Sequence, residues 1–136
     1  MSNRYYELSM LVLRVALGAI FLAHGLQKIT GFEGIVKFFG SIGLPPILAY
    51  VVTTIETLGG ACLILGLFTR TAATGICFVM LGAIFSVKAS KGFINGYEFE
   101  LSLLAAAVAL ILSGSNTLAL GNLFSSLKAT SAKKTA

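Results

Sequence analysis

Long apolar runs, broken at a few polar or turn-forming points, organise this chain. Four stretches are free enough of charge to cross about 30 Å of hydrocarbon, which takes roughly 20 helical residues: 8–29, 46–68, 71–87 and 97–113. Their apolar residues do not alternate as barrel strands do, and backbone groups in lipid must be satisfied within the segment. The pattern predicts an all-α integral membrane protein, a four-transmembrane-helix bundle running up-down-up-down.

The punctuation between the runs fits this scheme. Gly43-Leu44-Pro45-Pro46 breaks the chain before the second span, with proline at the first helical position. Phe68-Thr69-Arg70-Thr71 is short enough to be only a tight turn, so the second and third spans form a helical hairpin. The polar stretch 88–96 carries Gly92 and Asn95-Gly96 as turn residues. Residues 31–41 mix phenylalanine and isoleucine with Glu33 and Lys37, the composition of a short interfacial segment. Residues 1–124 then make one transmembrane domain. Residues 125–136, polar and bearing Lys128, Lys133 and Lys134, form a tail expected to lack fixed structure. The first run exceeds the apolar core of a signal peptide, so it is expected to remain as a span. Small residues at Cys62 and Gly66, Gly75 and Gly82, and Ala105 and Ala109 are expected where helices touch.

Composition narrows the chemistry. Hydrophobic residues make up 57% of the chain and charged residues 11%, against roughly 25% charged in soluble domains. The sequence has no Asp, one His (His24) and two Cys (Cys62 and Cys77). A Ser-His-Asp triad cannot be assembled, a multi-histidine metal site is excluded, and no nucleotide-binding glycine motif is present. Neither a metal nor a nucleotide cofactor is expected. The net charge of +5 reads as anchoring at the lipid bilayer interface, and without a basic stripe interleaved with aromatics no nucleic-acid partner is expected. Arg4, Arg70, Lys128, Lys133 and Lys134 fall on one side of the four-span scheme, and Lys28, Lys37, Lys88 and Lys91 on the other. By the positive-inside rule, this leans towards a multi-pass protein of the cell membrane with both termini cytoplasmic.

Ionisable groups inside the spans carry the remaining information, because a charge in lipid persists only where structure or function repays it. Arg14 lies about 9 Å and His24 about 24 Å into the first span, and Lys28 shares a face with His24 four residues earlier. Glu56 stands alone near the middle of the second span, and Glu98 and Glu100 open the fourth. Two readings follow. The charges could pair, Glu56 with Arg14 or His24 and Glu98 with Lys28, and so fix helix order. Alternatively they line a polar pocket near one membrane face, walled by Phe21, Phe38, Phe39, Phe85 and Phe99, suited to a flat amphipathic ligand.

Two stretches resemble the DoxX family of small bacterial membrane proteins: Leu13-Arg14-Val15-Ala16-Leu17-Gly18 with Phe21-Leu22-Ala23-His24-Gly25-Leu26-Gln27-Lys28, and Ile55-Glu56-Thr57-Leu58-Gly59-Gly60 with Gly66-Leu67-Phe68-Thr69-Arg70. Asn95-Gly96-Tyr97-Glu98-Phe99-Glu100-Leu101 looks like the start of that family's final helix. The C-terminal end departs, since 114–120 lacks the Gly-Pro-Gly and final Asp of many members. The resemblance implies a four-span membrane protein acting as an oxidoreductase component, with links to quinones and to thiol stress. It also implies a shared polar site formed by Arg14, His24, Lys28, Glu56, Arg70 and Glu98.

Three functions remain open on this reading. The first is a membrane subunit that binds a quinone or similar lipid-phase aromatic carrier. His24 and Lys28 would hydrogen-bond a carbonyl, His24 and Glu56 would be the candidate catalytic residues, Glu56 or Glu98 would move protons, and Arg14 and Arg70 would steady the carboxylates. The second is a non-catalytic anchor that recruits soluble redox enzymes through its basic tail. The third is an exporter of small aromatic compounds, which would need assembly into a homo-oligomer to supply the repeats that transporters show.

Overall fold

Uncharged runs of leucine, isoleucine, valine and alanine coil into helices here because in hydrocarbon only a closed backbone ladder satisfies every N–H and C=O. The computed structural model describes residues 2–134. Helix α1 (Ser2–Thr30) leads into a short α2 (Phe32–Ser41), and α3 (Pro46–Leu65), α4 (Thr69–Ala83) and α5 (Glu98–Ser113) follow. Between α4 and α5 the chain passes through a π-helical turn (Ile84–Lys88), a 3-10 turn (Ala89–Lys91) and a kinked turn (Phe93–Tyr97). Helix α6 (Leu120–Lys134) ends the described chain, and no strand occurs among the described residues.

Four helical stretches are long and apolar enough to span a membrane: Asn3–Thr30, Pro46–Leu65, Thr69–Lys91 and Phe93–Ser113. Helix α1 packs on α3, α3 on α4, α4 on α5, and α5 back on α1, closing an up-down-up-down ring. Leu17, Phe21, Leu63, Ile76, Ala107 and Leu110 are buried inside it, while Val12, Leu58, Phe78, Val108 and Leu112 face outward as lipid-contacting residues do. The first helix starts well before residue 8, and the third span continues beyond 87. Hydropathy marks the thickness of the hydrocarbon, whereas the helix itself carries polar residues such as Arg4 and Lys91 past it.

The closest approach in the ring is between α1 and α3. A Cβ placed on Gly18 would lie 2.8 Å from the Gly60 carbonyl oxygen, and one on Gly60 would lie 2.8 Å from the Gly18 oxygen. Gly25 meets Thr57 in the same way, 2.7 Å from its backbone nitrogen. This seam lets the two backbones touch, the mode by which membrane helices associate without a hydrophobic drive. It runs through glycines other than the small-residue pairs expected from the sequence. Gly75 meets only an Ile55 side-chain carbon at 3.2 Å, and Gly82 opens onto space. Gly66 ends α3 in the left-handed region at φ 72, where an added Cβ would also lie 2.6 Å from Ala119 and 2.9 Å from Arg14 Nη1. Gly66→Ala is therefore expected to cost about 1–3 kcal/mol from backbone strain alone. A fall in the thermal midpoint of purified protein in mild detergent would show it; an unchanged midpoint would mean that this turn relaxes freely.

The C-terminal stretch differs from the structureless tail expected at 125–136. Residues 120–134 are helical, with Ser125, Ser126 and Thr130 hydroxyls donating to carbonyls four residues earlier. Polar side chains need not abolish a helix when alanine, leucine and lysine hold its interior. What they remove is a reason to pack on the bundle, and every residue from 122 to 134 is exposed.

Candidate functional site

Where α1 ends and α3 begins, the ring is left unfilled. A cavity of about 420 Å³ opens there, bounded by α1, α2, α3, α4 with its π-helical turn, and α5. Its walls are mostly apolar, with Phe21, Phe38, Phe39, Phe99, Val52 and Leu103 among them. Of the five phenylalanines expected to wall a pocket, Phe85 does not take part; it is 76% exposed and faces outward. The π-helical turn widens the backbone near the cavity, and Ser86 and Val87 from it join the lining. Five residues bring polar atoms: His24, Lys28, Glu56, Ser86 and Glu100.

The antiparallel register of α1 against α3 sets opposite one another Gly18 and Gly60, Gly25 and Thr57, and finally Lys28 and Glu56. Lys28 Nζ donates to Glu56 Oε2 in an ion pair. The Glu56 side chain is 4% exposed and that of Lys28 20%, so the carboxylate is the more enclosed of the two. A second pair, Lys88 Nζ to Glu100 Oε1 at 3.4 Å, ties the π-helical turn to α5, and Glu100 is the member that lines the cavity. The other carboxylate oxygen of Glu100, Oε2, is buried with no protein partner.

His24 donates from Nδ1 to the Ile20 carbonyl oxygen at 2.8 Å. A carbonyl can only accept, so the proton of the neutral ring sits on Nδ1 and Nε2 is left to exchange a proton or accept a hydrogen bond. Only the protonated ring could donate to a carbonyl from Nε2.

The pairings expected from the sequence are replaced by these. Glu56 pairs with neither Arg14 nor His24, and Glu98 does not pair with Lys28. Arg14 stands ten residues before His24, about 15 Å along the helix, too far for its side chain to reach the α3 acid. It is instead fully buried at the opposite end of the bundle. Its Nη1 donates to the Ser115 carbonyl at 3.1 Å and to Ser115 Oγ at 3.3 Å, and its Nη2 donates to the Leu118 carbonyl at 3.2 Å. Arg70 lies at that same end, its guanidinium beside Gly114. Glu98 accepts the backbone N–H of Asn95 at 3.0 Å and so supports a turn in which Asn95 holds φ 58. Of the six residues implied as a shared polar site, the structure brings His24, Lys28 and Glu56 to the cavity and places Arg14, Arg70 and Glu98 outside its lining.

Glu100 joins the cavity without having been named among the six. The signal was present: Glu100, Leu103, Ala107 and Leu110 recur at one helical face, all four are buried, and Glu98 lies about 200° round the helix from Glu100.

Comparison with known proteins places this architecture. The DoxX family model matches residues 9–89. The chain is 44% identical over 118 residues to the Bacillus subtilis protein named "Putative oxidoreductase CatD", covering 87% of this chain and 88% of that one. It is 39% identical over 75 residues to the inner membrane protein YphA of Escherichia coli, about half of each chain at 54%. An uncharacterized protein of Haemophilus influenzae is 33% identical over 129 residues, covering 90% of this chain and 95% of the relative. No solved structure matches the chain significantly.

Proposed function

This chain belongs to the DoxX family, and from that premise together with the cavity we propose that it is the membrane component of an oxidoreductase system that binds a quinone or similar aromatic carrier between α1 and α5. One observation supports the reading above all: a mostly apolar cavity of about 420 Å³ lined by a histidine, the Lys28–Glu56 ion pair and a second acid, Glu100. Pockets of this size hold ligands of a few tens of atoms, and a small number of polar groups fixes their orientation. The 44% identity to a relative whose name carries an oxidoreductase role points the same way. The connection to quinone or thiol stress rests on the family resemblance.

A quinone, when bound, supplies two-electron, two-proton chemistry; the chain's own groups would hold the ring and handle the protons. Aromatic walls from Phe21, Phe38, Phe39 and Phe99 take a flat ring by dispersion and edge contact. His24, with its free Nε2, accepts a hydroxyl proton or, once protonated, donates to a carbonyl oxygen. Glu56 is the inner proton acceptor, held in place by Lys28. Glu100 takes the role first considered for Glu98, because Glu100 lines the cavity and Glu98 does not. Arg14 binds the 114–119 loop and Arg70 lies beside Gly114, both at the other end of the bundle, so neither has a part in this step.

Organic extraction of protein purified in mild detergent from a bacterial membrane tests the proposal. Wild type is expected to yield close to one quinone per chain, and His24→Ala and Glu56→Gln little. Glu56→Gln keeps a hydrogen-bond acceptor for Lys28, whose side chain is 20% exposed, so that variant should remain folded. Absence of quinone from all three, with each monodisperse, would overturn the proposal and leave the charges as structural pairs.

A further inference from the structure

Charge is divided unequally between the two ends of the bundle. Arg4, Arg14, Arg70, Lys128, Lys133 and Lys134 belong to the end where α1 starts and α5 finishes, with Glu7 as the single acid. At the opposite end, Lys28, Lys37, Lys88 and Lys91 are balanced by Glu33, Glu56, Glu98 and Glu100. The whole formal excess of +5 therefore lies in one half of the bundle, all of it but the buried Arg14 close to that membrane face. Helix α6 is rooted at that face: the Gly121 N–H donates to the Gly66 carbonyl at 3.3 Å, and Arg14 holds the Leu118 carbonyl. Only residues 114–119 separate α6 from the end of α5, too few to carry it far from the bilayer surface.

The first two turns of α6 are amphipathic. Leu120, Leu123, Phe124 and Leu127 recur at i, i+3, i+4 and i+7, an arc of about 100°, and they are 38%, 60%, 62% and 66% exposed. Asn122, Ser125 and Ser126 occupy the opposite side, and Lys128 flanks the stripe. A bare apolar stripe ending in lysines, tied to the end of a membrane span, has the composition of helices that lie in the interface plane.

We propose that α6 is a membrane-surface helix. Its apolar stripe sits at the headgroup–acyl boundary, and Lys128, Lys133 and Lys134 sit among anionic headgroups. Lipid is the occupant that the position and the charge together select: the stripe is held at bilayer level, and the excess positive charge at this face complements an anionic leaflet. By the positive-inside rule that leaflet is the cytoplasmic one. The inference is independent of what the cavity binds.

The chain contains no tryptophan, so one introduced residue reports alone. Full-length Phe124→Trp and Ser126→Trp would be reconstituted in phosphatidylcholine vesicles with and without phosphatidylglycerol. The expected result is blue-shifted emission at position 124, quenched by brominated acyl chains about twofold more than at position 126. The difference should be larger with phosphatidylglycerol and smaller when Lys128, Lys133 and Lys134 are all changed to Gln. Water-like emission at both positions would overturn the proposal. Equal seating in neutral and anionic vesicles would overturn the lipid selectivity. Blue-shifted emission that bromolipid does not quench and that varies with the protein-to-lipid ratio would assign the stripe to a second copy of the chain instead.

Discussion

Lys28→Met is expected to destabilise the folded protein by about 3 kcal/mol, the low end of what removing one partner from a buried ion pair costs. The change strands Glu56, whose side chain is 4% exposed and which has no other cation within ion-pair distance among the described residues. The low end applies because Lys28 itself is 20% exposed, so part of its attraction to Glu56 is already screened. Adding Glu56→Gln to the same chain removes the stranded charge and should recover most of the loss. The double variant would then be more stable than Lys28→Met alone, a non-additivity that neighbouring groups show and distant ones do not. Thermal melting of all three chains in one detergent measures this. Equal midpoints for wild type and Lys28→Met would mean that Glu56 carries no charge needing compensation, and the proton-handling role proposed for it would lose its support.

Gly60→Ala is expected to have an effect of similar or greater size without touching any charge. The added Cβ would fall 2.8 Å from the Gly18 oxygen and 2.9 Å from Leu22 Cα. Both are backbone atoms of α1, so no side-chain rotation relieves the contact; the helices must separate along the seam, or α1 must bend. Overpacking of a tight interior costs about 1–3 kcal/mol and occasionally more, and with backbone on both sides the upper end applies here. Loss of a monodisperse peak in size-exclusion chromatography, or a large drop in melting temperature, would show it. Gly34→Ala is the control, because a Cβ there meets nothing within 4 Å. Equal behaviour of the two variants would mean that the α1–α3 contact does not hold the bundle together. Separating these helices should also pull Lys28 from Glu56, so the Gly60 variant is expected to lose any cavity ligand as well.

Much of the fold was legible because hydrocarbon is an unforgiving solvent. Four long apolar runs could be little other than four helices, and Gly43-Leu44-Pro45 and Asn95-Gly96 break the chain before the second and fourth of them. The turn expected at 68–71 falls at 66–68, because Gly66 takes the left-handed conformation that ends α3 and Thr69 already opens α4. The site was legible in its residue types more than in its partnerships. His24 and Lys28, four apart, announce a polar stripe on α1, and Glu56 announces a buried acid on α3. That Lys28 rather than Arg14 meets Glu56 follows from where the Gly18–Gly60 contact locks the two helices in register, and a one-turn slip would have changed the pairing. Glu100 was readable from the buried stripe it shares with Leu103 and Ala107, whereas Glu98, charged and in the first turn of the same run, lies on the other side of that helix.

The sequence by itself determined the number of spans, their order across the bilayer and which ionisable groups lie within them, since each of these depends on local composition measured against a fixed membrane thickness. Tertiary structure alone decided the ion-pair partners and the division of the charged residues between a cavity at one end and the Arg14-bound 114–119 loop at the other. Those outcomes depend on distances between residues far apart in the chain. Arg14 and Ser115 are 101 positions apart, and only the closed ring of helices brings them within hydrogen-bond reach.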